Sequence, residues 1–159
     1  MKARRIIVRL DPRPVGLQAL ARLAEELDAE LLGLFVENVE LLRLAALPFA
    51  REVGHASGVR RELDVAAMER AWRARARELR RACAEALRGS TVSWSFRVAR
   101  GSPGGELLAA IAEAAVPTLV VPPGADPRAA PTLVSLAALT EESLRELLET
   151  GRRPILIRP

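Results

Sequence analysis

Residues 30–38 read ELLGLFVEN, an almost continuous apolar run. A strand with one wet face alternates apolar and polar residues. A strand covered on both faces does not need to, and such strands belong mainly to parallel sheets flanked by helices. The neighbours of this run agree. Upstream, RRIIVRL (4–10) is a compact β-rich run closed by Asp11-Pro12. Between the two runs, Leu17, Leu20, Ala24 and Leu27 recur at helical spacing, with Arg22, Glu25 and Glu26 off that face. The first 38 residues thus read strand, helix, strand.

Downstream, VELLRLAALPFAREVG (39–54) is apolar without a strand's alternation and is punctuated by Pro48 and Gly54. It predicts an irregular insert, about 39–58, with a short helix. Residues 60–88 predict a long helix with Met68, Trp72, Ala76, Leu79, Cys83 and Ala86 as its apolar stripe, ended by Gly89. TVSWSFRV (91–98) alternates cleanly, as an outer strand does. Gly101 to Gly105 turn into a helix bearing Leu107, Leu108, Ile111 and Ala115, and PTLVV (117–121) is the next strand. After a proline-rich loop, TEESLRELLETG (140–151) is a helix capped by Thr140, and RPILIRP (153–159) is a final strand. Strands alternating with helices imply right-handed crossovers. The expectation is one doubly wound α/β domain over residues 1–159, with a five-stranded parallel sheet. Ligands on such sheets bind at the carboxyl ends of the strands. That directs attention to Asp11, Phe35 to Asn38, Arg100 to Gly105, and Pro122 to Asp126.

Composition narrows the function classes. The chain has 159 residues, half of them apolar, and only 3% aromatic, so the core is built from Leu, Val, Ile and Ala. The net charge is +4. The segment 60–88 alone holds nine arginines and five acids, so the rest of the chain sums to zero. With no tyrosine and no stacking platform, that helix reads as a solvated face, and nucleic acid is not an expected partner. Cys83 is alone, which rules out an internal disulfide, and its place on the apolar stripe reads as a buried structural thiol. No apolar stretch is long enough for a signal peptide or membrane span, so a cytoplasmic protein without membrane contact is expected.

At this point the chain resembles a universal stress protein domain. The matching pieces are RIIVRLDP, AELLGLFVEN, VARGSPGGELLAAI, PTLVVP and RRPILIRP, in that order and spacing, over nearly the whole chain. The insert resembles a divergent bacterial branch of the family. The resemblance implies strand order 3-2-1-4-5 and a homodimer through the last strand, where ILI (155–157) would otherwise be a free edge. It also implies adenine-nucleotide binding in some members. In the binders, the aspartate after strand 1 and the backbone after strand 2 hold adenosine. Asp11 and Val36 match those positions. A loop G-x2-G-x9-G-[ST] after strand 4 holds ribose and phosphates. Here it departs from the pattern: Pro122 falls on the first glycine, Ala125 on the second and Ser135-Leu136 on the final pair. Gly124 and Ser135 are the candidates that remain. Proline has no N–H and a fixed φ, so this loop is poorly built for a triphosphate.

GSPGGE (101–106) is the other ligand feature. It opens a helix after a strand, so Gly101, Ser102 and Gly104 could present N–H groups to an anion; equally, it is a tight turn with Ser102 as cap. Asp11 doubles as a turn former before Pro12. His55, the sole histidine, has no Cys or Asp neighbour to make a metal site or triad. The apolar insert 41–53 is either a lid or a protein-binding patch. The reading is a non-catalytic, universal-stress-type regulatory or interaction module with weakened or lost ATP binding and no other cofactor. One alternative is a sensor that keeps adenosine or AMP-like binding. A small α/β enzyme is the other, although no nucleophile or acid–base constellation supports it.

Overall fold

A computed structural model describes residues 3–10, 16–45 and 58–159. Asp11, His55 and most of the insert beyond Ala45 lie outside the described residues. In chain order the elements are β1 (Arg5–Arg9), α1 (Leu17–Leu27), β2 (Glu30–Asn38), α2 (Val39–Ala45), α3 (Gly58–Ala86) and β3 (Trp94–Gly101). They continue as α4 (Pro103–Ala114), β4 (Thr118–Val121), β5 (Thr132–Ser135), a short 3-10 turn (Leu136–Ala138), α5 (Glu141–Thr150) and β6 (Ile155–Arg158).

The sheet has the order β3-β2-β1-β4-β6-β5. β1 pairs in parallel with β2 and β4, and β2 with β3. This is the parallel, doubly wound part that the sequence predicts. β2 is buried over seven consecutive residues, as a doubly covered strand must be. On one face, Ile6, Val8 and Leu10 meet Leu20 and Ala24 of α1 and Leu79 and Cys83 of α3. On the other, Ile7, Leu34 and Val120 meet Leu107 and Ile111 of α4 and Leu144 and Leu148 of α5.

Two expectations are corrected. The sheet has six strands rather than five, because Thr132–Ser135 adds one at the edge. The last strand runs antiparallel to β4, and β5 runs parallel to β6. β5, α5 and β6 therefore form a parallel βαβ unit of their own, inverted relative to the first four strands. In consequence Ile155, Leu156 and Ile157 are buried between β4 and β5 and are not a free edge. The edge strand is β5, where Leu133 is 55% exposed.

The helix ends follow local chemistry. The Thr140 hydroxyl accepts from the Ser143 N–H and Ser143 Oγ accepts from the Thr140 N–H, a reciprocal cap on α5. A cap of this kind stabilises a helix by about 1 kcal/mol. Among the described residues no helix is long and apolar enough to cross a membrane.

Candidate functional site

The carboxyl ends of β1, β2, β3 and β4 lie along one end of the sheet. β1 stops at Arg9 opposite Leu34, with a last bond from the Leu10 N–H to the Leu34 carbonyl at 3.0 Å. β2 runs four residues further, to Asn38, paired with β3 as far as Gly101. Val36 therefore sits inside the β2–β3 ladder, opposite Ala99, with its side chain buried on the α4 face. Next to it, Glu37 is only 9% exposed, and its Oε2 accepts from Nε of Arg100, its register partner, at 3.0 Å. Arg100 Nη1 also lies 3.8 Å from Glu69 of α3. Arg100 thus joins two strand ends to the long helix.

One step further, β3 turns into α4 through Ser102. Ser102 Oγ accepts from the Gly105 N–H at 3.2 Å, and Pro103 starts the helix, where a missing N–H has no cost. The same hydroxyl donates to Oε1 of Glu141 at 2.6 Å. Glu141 is the first residue of α5, so one carboxylate stands at two helix N-termini, where the helix dipoles favour negative charge. The glycines make room for it. A Cβ on Gly104 would stand 3.0 Å from Glu141 Cγ, and one on Gly105 would stand 2.6 Å from Ser102 Oγ. Gly101 is held open in the same way, since a Cβ there would stand 2.5 Å from Glu106 Oε1. The anion position that GSPGGE suggests is thus lined by the chain's own carboxylates, Glu106 and Glu141.

The loop after β4 is built differently. Pro122 to Ala125 form a turn closed by the Ala125 N–H to the Pro122 carbonyl at 3.1 Å, with Pro123 and Gly124 at its centre. Gly124 has φ +78°, the left-handed value that the third residue of a type II turn needs. Asp126 to Ala129 form a second turn: the Ala129 N–H reaches the Asp126 carbonyl at 3.1 Å, and the Arg128 N–H reaches Asp126 Oδ1 at 3.0 Å. Three N–H groups of the loop are therefore bonded within it. The loop then crosses the α1 face of the sheet, where Arg128 Nη2 donates to Glu26 Oε1 at 2.8 Å. Ala125 packs on that core.

The structure brings Val36, Gly101, Ser102 and Gly104 to one end of the sheet and separates Ser135 from them. β6 runs against β4 with Ile155 beside Val120 and Ile157 beside Thr118. Ser135 pairs with Arg158, beyond Ile157, at the end where β4 begins. It cannot serve the carboxyl-end site, because β5 runs the opposite way to the strand order expected. Asp11 lies outside the described residues. Glu37 and Arg100 fall in the stretches to which the sequence directs attention, but their pairing was not foreseen, and Glu141 was missed. Glu141 reads in the sequence as an ordinary first-turn acid of its own helix, and no local signal joins it to Ser102. Cys83 is buried, and burial pushes its thiol up to about 11. Among the described residues no group of His, Cys, Asp and Glu could hold a metal ion.

A doubly wound α/β domain with its loops gathered at the strand carboxyl ends is the class that these features define. No protein-family model matches the chain, and no curated protein matches it. Solved structures do. The hypothetical protein MJ0577, whose biochemical function was assigned from its structure, aligns with a TM-score of 0.56 at 10% identity, over 99% of this chain and 96% of that one. A universal stress protein family member from Burkholderia pseudomallei aligns with a TM-score of 0.49 at 18% identity, with the same coverage. The likeness to MJ0577 is one of fold.

Proposed function

We propose that this chain is a non-catalytic, universal-stress-type regulatory or interaction module in which ATP binding is weakened or lost. The loop after β4 carries the reading. In such a domain a phosphate loop offers unpaired backbone N–H groups. Here Ala125, Arg128 and Ala129 donate within the loop, and four prolines have no N–H to donate. The carboxylates of Glu106 and Glu141 beside Gly101, Gly104 and Gly105 add like charge where a phosphate would come. The absence of catalysis is part of the proposal. A thiol raised to about 11 is a poor nucleophile near neutral pH, which supports it.

Calorimetric titration with adenosine, AMP and ATP–Mg²⁺ tests this. Each lost charge-assisted hydrogen bond costs about 1.5–3 kcal/mol. The expected result is ATP bound no more tightly than AMP or adenosine. Micromolar ATP binding, much tighter than AMP and abolished by Asp11→Ala, would overturn the proposal.

Self-association belongs to the same reading, through the free edge at β5. A four-residue strand paired only on its β6 side among the described residues, with Leu133 exposed, is the feature that invites pairing with a second copy. Sedimentation at tens of micromolar (roughly the range of ordinary dimers) is expected to give a dimer that Leu133→Arg converts to monomer. A monomeric parent chain would remove this part of the proposal.

A further inference from the structure

The proline loop has a second side. Beside it lies an open cleft of about 320 Å³ between α1, β4 and β6. Its walls include Leu23 and Leu27 of α1, Leu119 of β4, Leu156 of β6, and Pro127 and Pro131 of the loop. Two charged groups stand at it, Glu26 and Arg128, and they are paired with each other at 2.8 Å. Both are more than half exposed, so the pair lies at the mouth and not in the interior.

An apolar cleft with a few convergent polar groups at one side is the ordinary form of a small-molecule site. This one is at the small end of the usual range of about 300–1,000 Å³. At about 30 Å³ per heavy atom, the packing of liquid water, it has room for roughly ten heavy atoms. That is too few for a nucleotide. The walls require an apolar body. The mouth selects the head group: a guanidinium fork recognises a planar carboxylate with two parallel bonds, and Glu26 already supplies one.

We propose that the cleft beside the loop 122–131 binds a small apolar monocarboxylate, whose head group takes Arg128 from Glu26. Glu26 stands in for the ligand while the site is empty and turns to solvent when it fills. The two turns of the loop hold Arg128 in place: its N–H is fixed by Asp126, and Pro127 stiffens the preceding residue. The site lies on the α1 face, away from Ser102 and Glu141, and it stands or falls independently of nucleotide binding.

Octanoate, with ten heavy atoms, is the probe, titrated calorimetrically beside octanol and octylamine, with methyl NMR shifts to locate it. The expected result is saturable one-to-one octanoate binding, at least tenfold tighter than octanol, with shifts at Leu27, Leu119 and Leu156. Arg128→Gln is expected to abolish the preference for octanoate, and Glu26→Gln to tighten octanoate by removing its competitor. Both changes are on exposed side chains, so the fold is retained. Ala129→Trp, which fills the cleft, is expected to eliminate binding. Any one of three results would overturn the proposal: no saturable octanoate binding up to millimolar concentration, octylamine bound as tightly as octanoate, or affinity unchanged in Arg128→Gln.

Discussion

The loops that follow β3 and β4 leave the same end of the sheet and solve the same problem in opposite ways. After β3 the chain enters a helix at once, and the helix N-terminus is met by a carboxylate from another helix, Glu141. After β4 the chain makes two proline-led turns, bonds three of its own N–H groups and crosses to the α1 face. In the first loop the Gly105 N–H is capped by Ser102, whose hydroxyl is in turn held by a partner distant in sequence, and in the second loop three N–H groups are bonded within the loop itself. The first depends on tertiary packing and the second on local backbone chemistry, so they should respond differently to substitution.

The largest effect is expected where packing holds the first loop's partner in place. Leu144 of α5 is fully buried against the α4 side of the core. Leu144→Ala is expected to cost about 2–5 kcal/mol in denaturant unfolding. A loss below about 1 kcal/mol would mean that α5, and Glu141 with it, is not anchored there.

Next come the two loops themselves. Ser102→Ala removes both the cap of α4 and the donor to Glu141, and an expected loss of about 0.5–2 kcal/mol follows. Gly124→Ala is expected to cost about 1–2 kcal/mol for a different reason. A Cβ at Gly124 meets nothing within 4 Å, but its φ is +78°. The cost is therefore conformational, and Gly124→Asn, which tolerates the left-handed region, is expected to cost less. If Asn and Ala cost the same, the turn is not formed as described.

A smaller effect is expected at the ion pair that ties the second loop to α1. Both partners are exposed, and a double-mutant cycle on Glu26 and Arg128 is expected to give about 0.2–1 kcal/mol, falling with added salt. A coupling of several kcal/mol would place the pair in a desolvated setting and change the picture of the cleft mouth.

The smallest effect is at Glu113 on α4, whose carboxyl is held below its ordinary value by a hydrogen bond from Arg97 of β3 and by that residue's charge. A depressed carboxyl stabilises the fold above its unfolded value and loses that contribution as pH falls through the folded one. The expectation for a carboxyl NMR titration is a midpoint below the ordinary 4.5 that moves upward in Arg97→Gln. A midpoint unmoved by that change would remove Arg97 as the cause.

The same contrast explains what could be read in the sequence. β1, β2 and β4 are β-rich apolar runs, α1, α4 and α5 have helical periodicity, and α4 and α5 also have side-chain caps and first-turn acids. Local rules suffice for these. β5 escaped them. Thr132–Ser135 is four residues long, follows a proline and is mostly exposed, so it has neither a buried run nor a clean alternation. Its pairing with β6 is a tertiary event, and the reversal of β6 against β4 follows with it. The candidate site divides along the same line. Pro123, Gly124 and Asp126 announce turns, and the loss of phosphate donors could be argued from them directly. Glu141 on Ser102 joins residues 39 apart, and Arg100 on Glu37 joins residues 63 apart. No pattern within a window of sequence connects such pairs.

Neither loop is proposed to hold a triphosphate: one has Glu106 and Glu141 beside its glycines, and the other bonds three of its N–H groups internally and has four prolines. Backbone amide NMR during titration with ATP–Mg²⁺ tests this central claim most directly, because Gly105 and Gly124 report on the two loops separately. The account predicts no saturable shift at either glycine up to millimolar nucleotide. Saturable shifts at Gly124 and Gly105 with one common micromolar dissociation constant would contradict it.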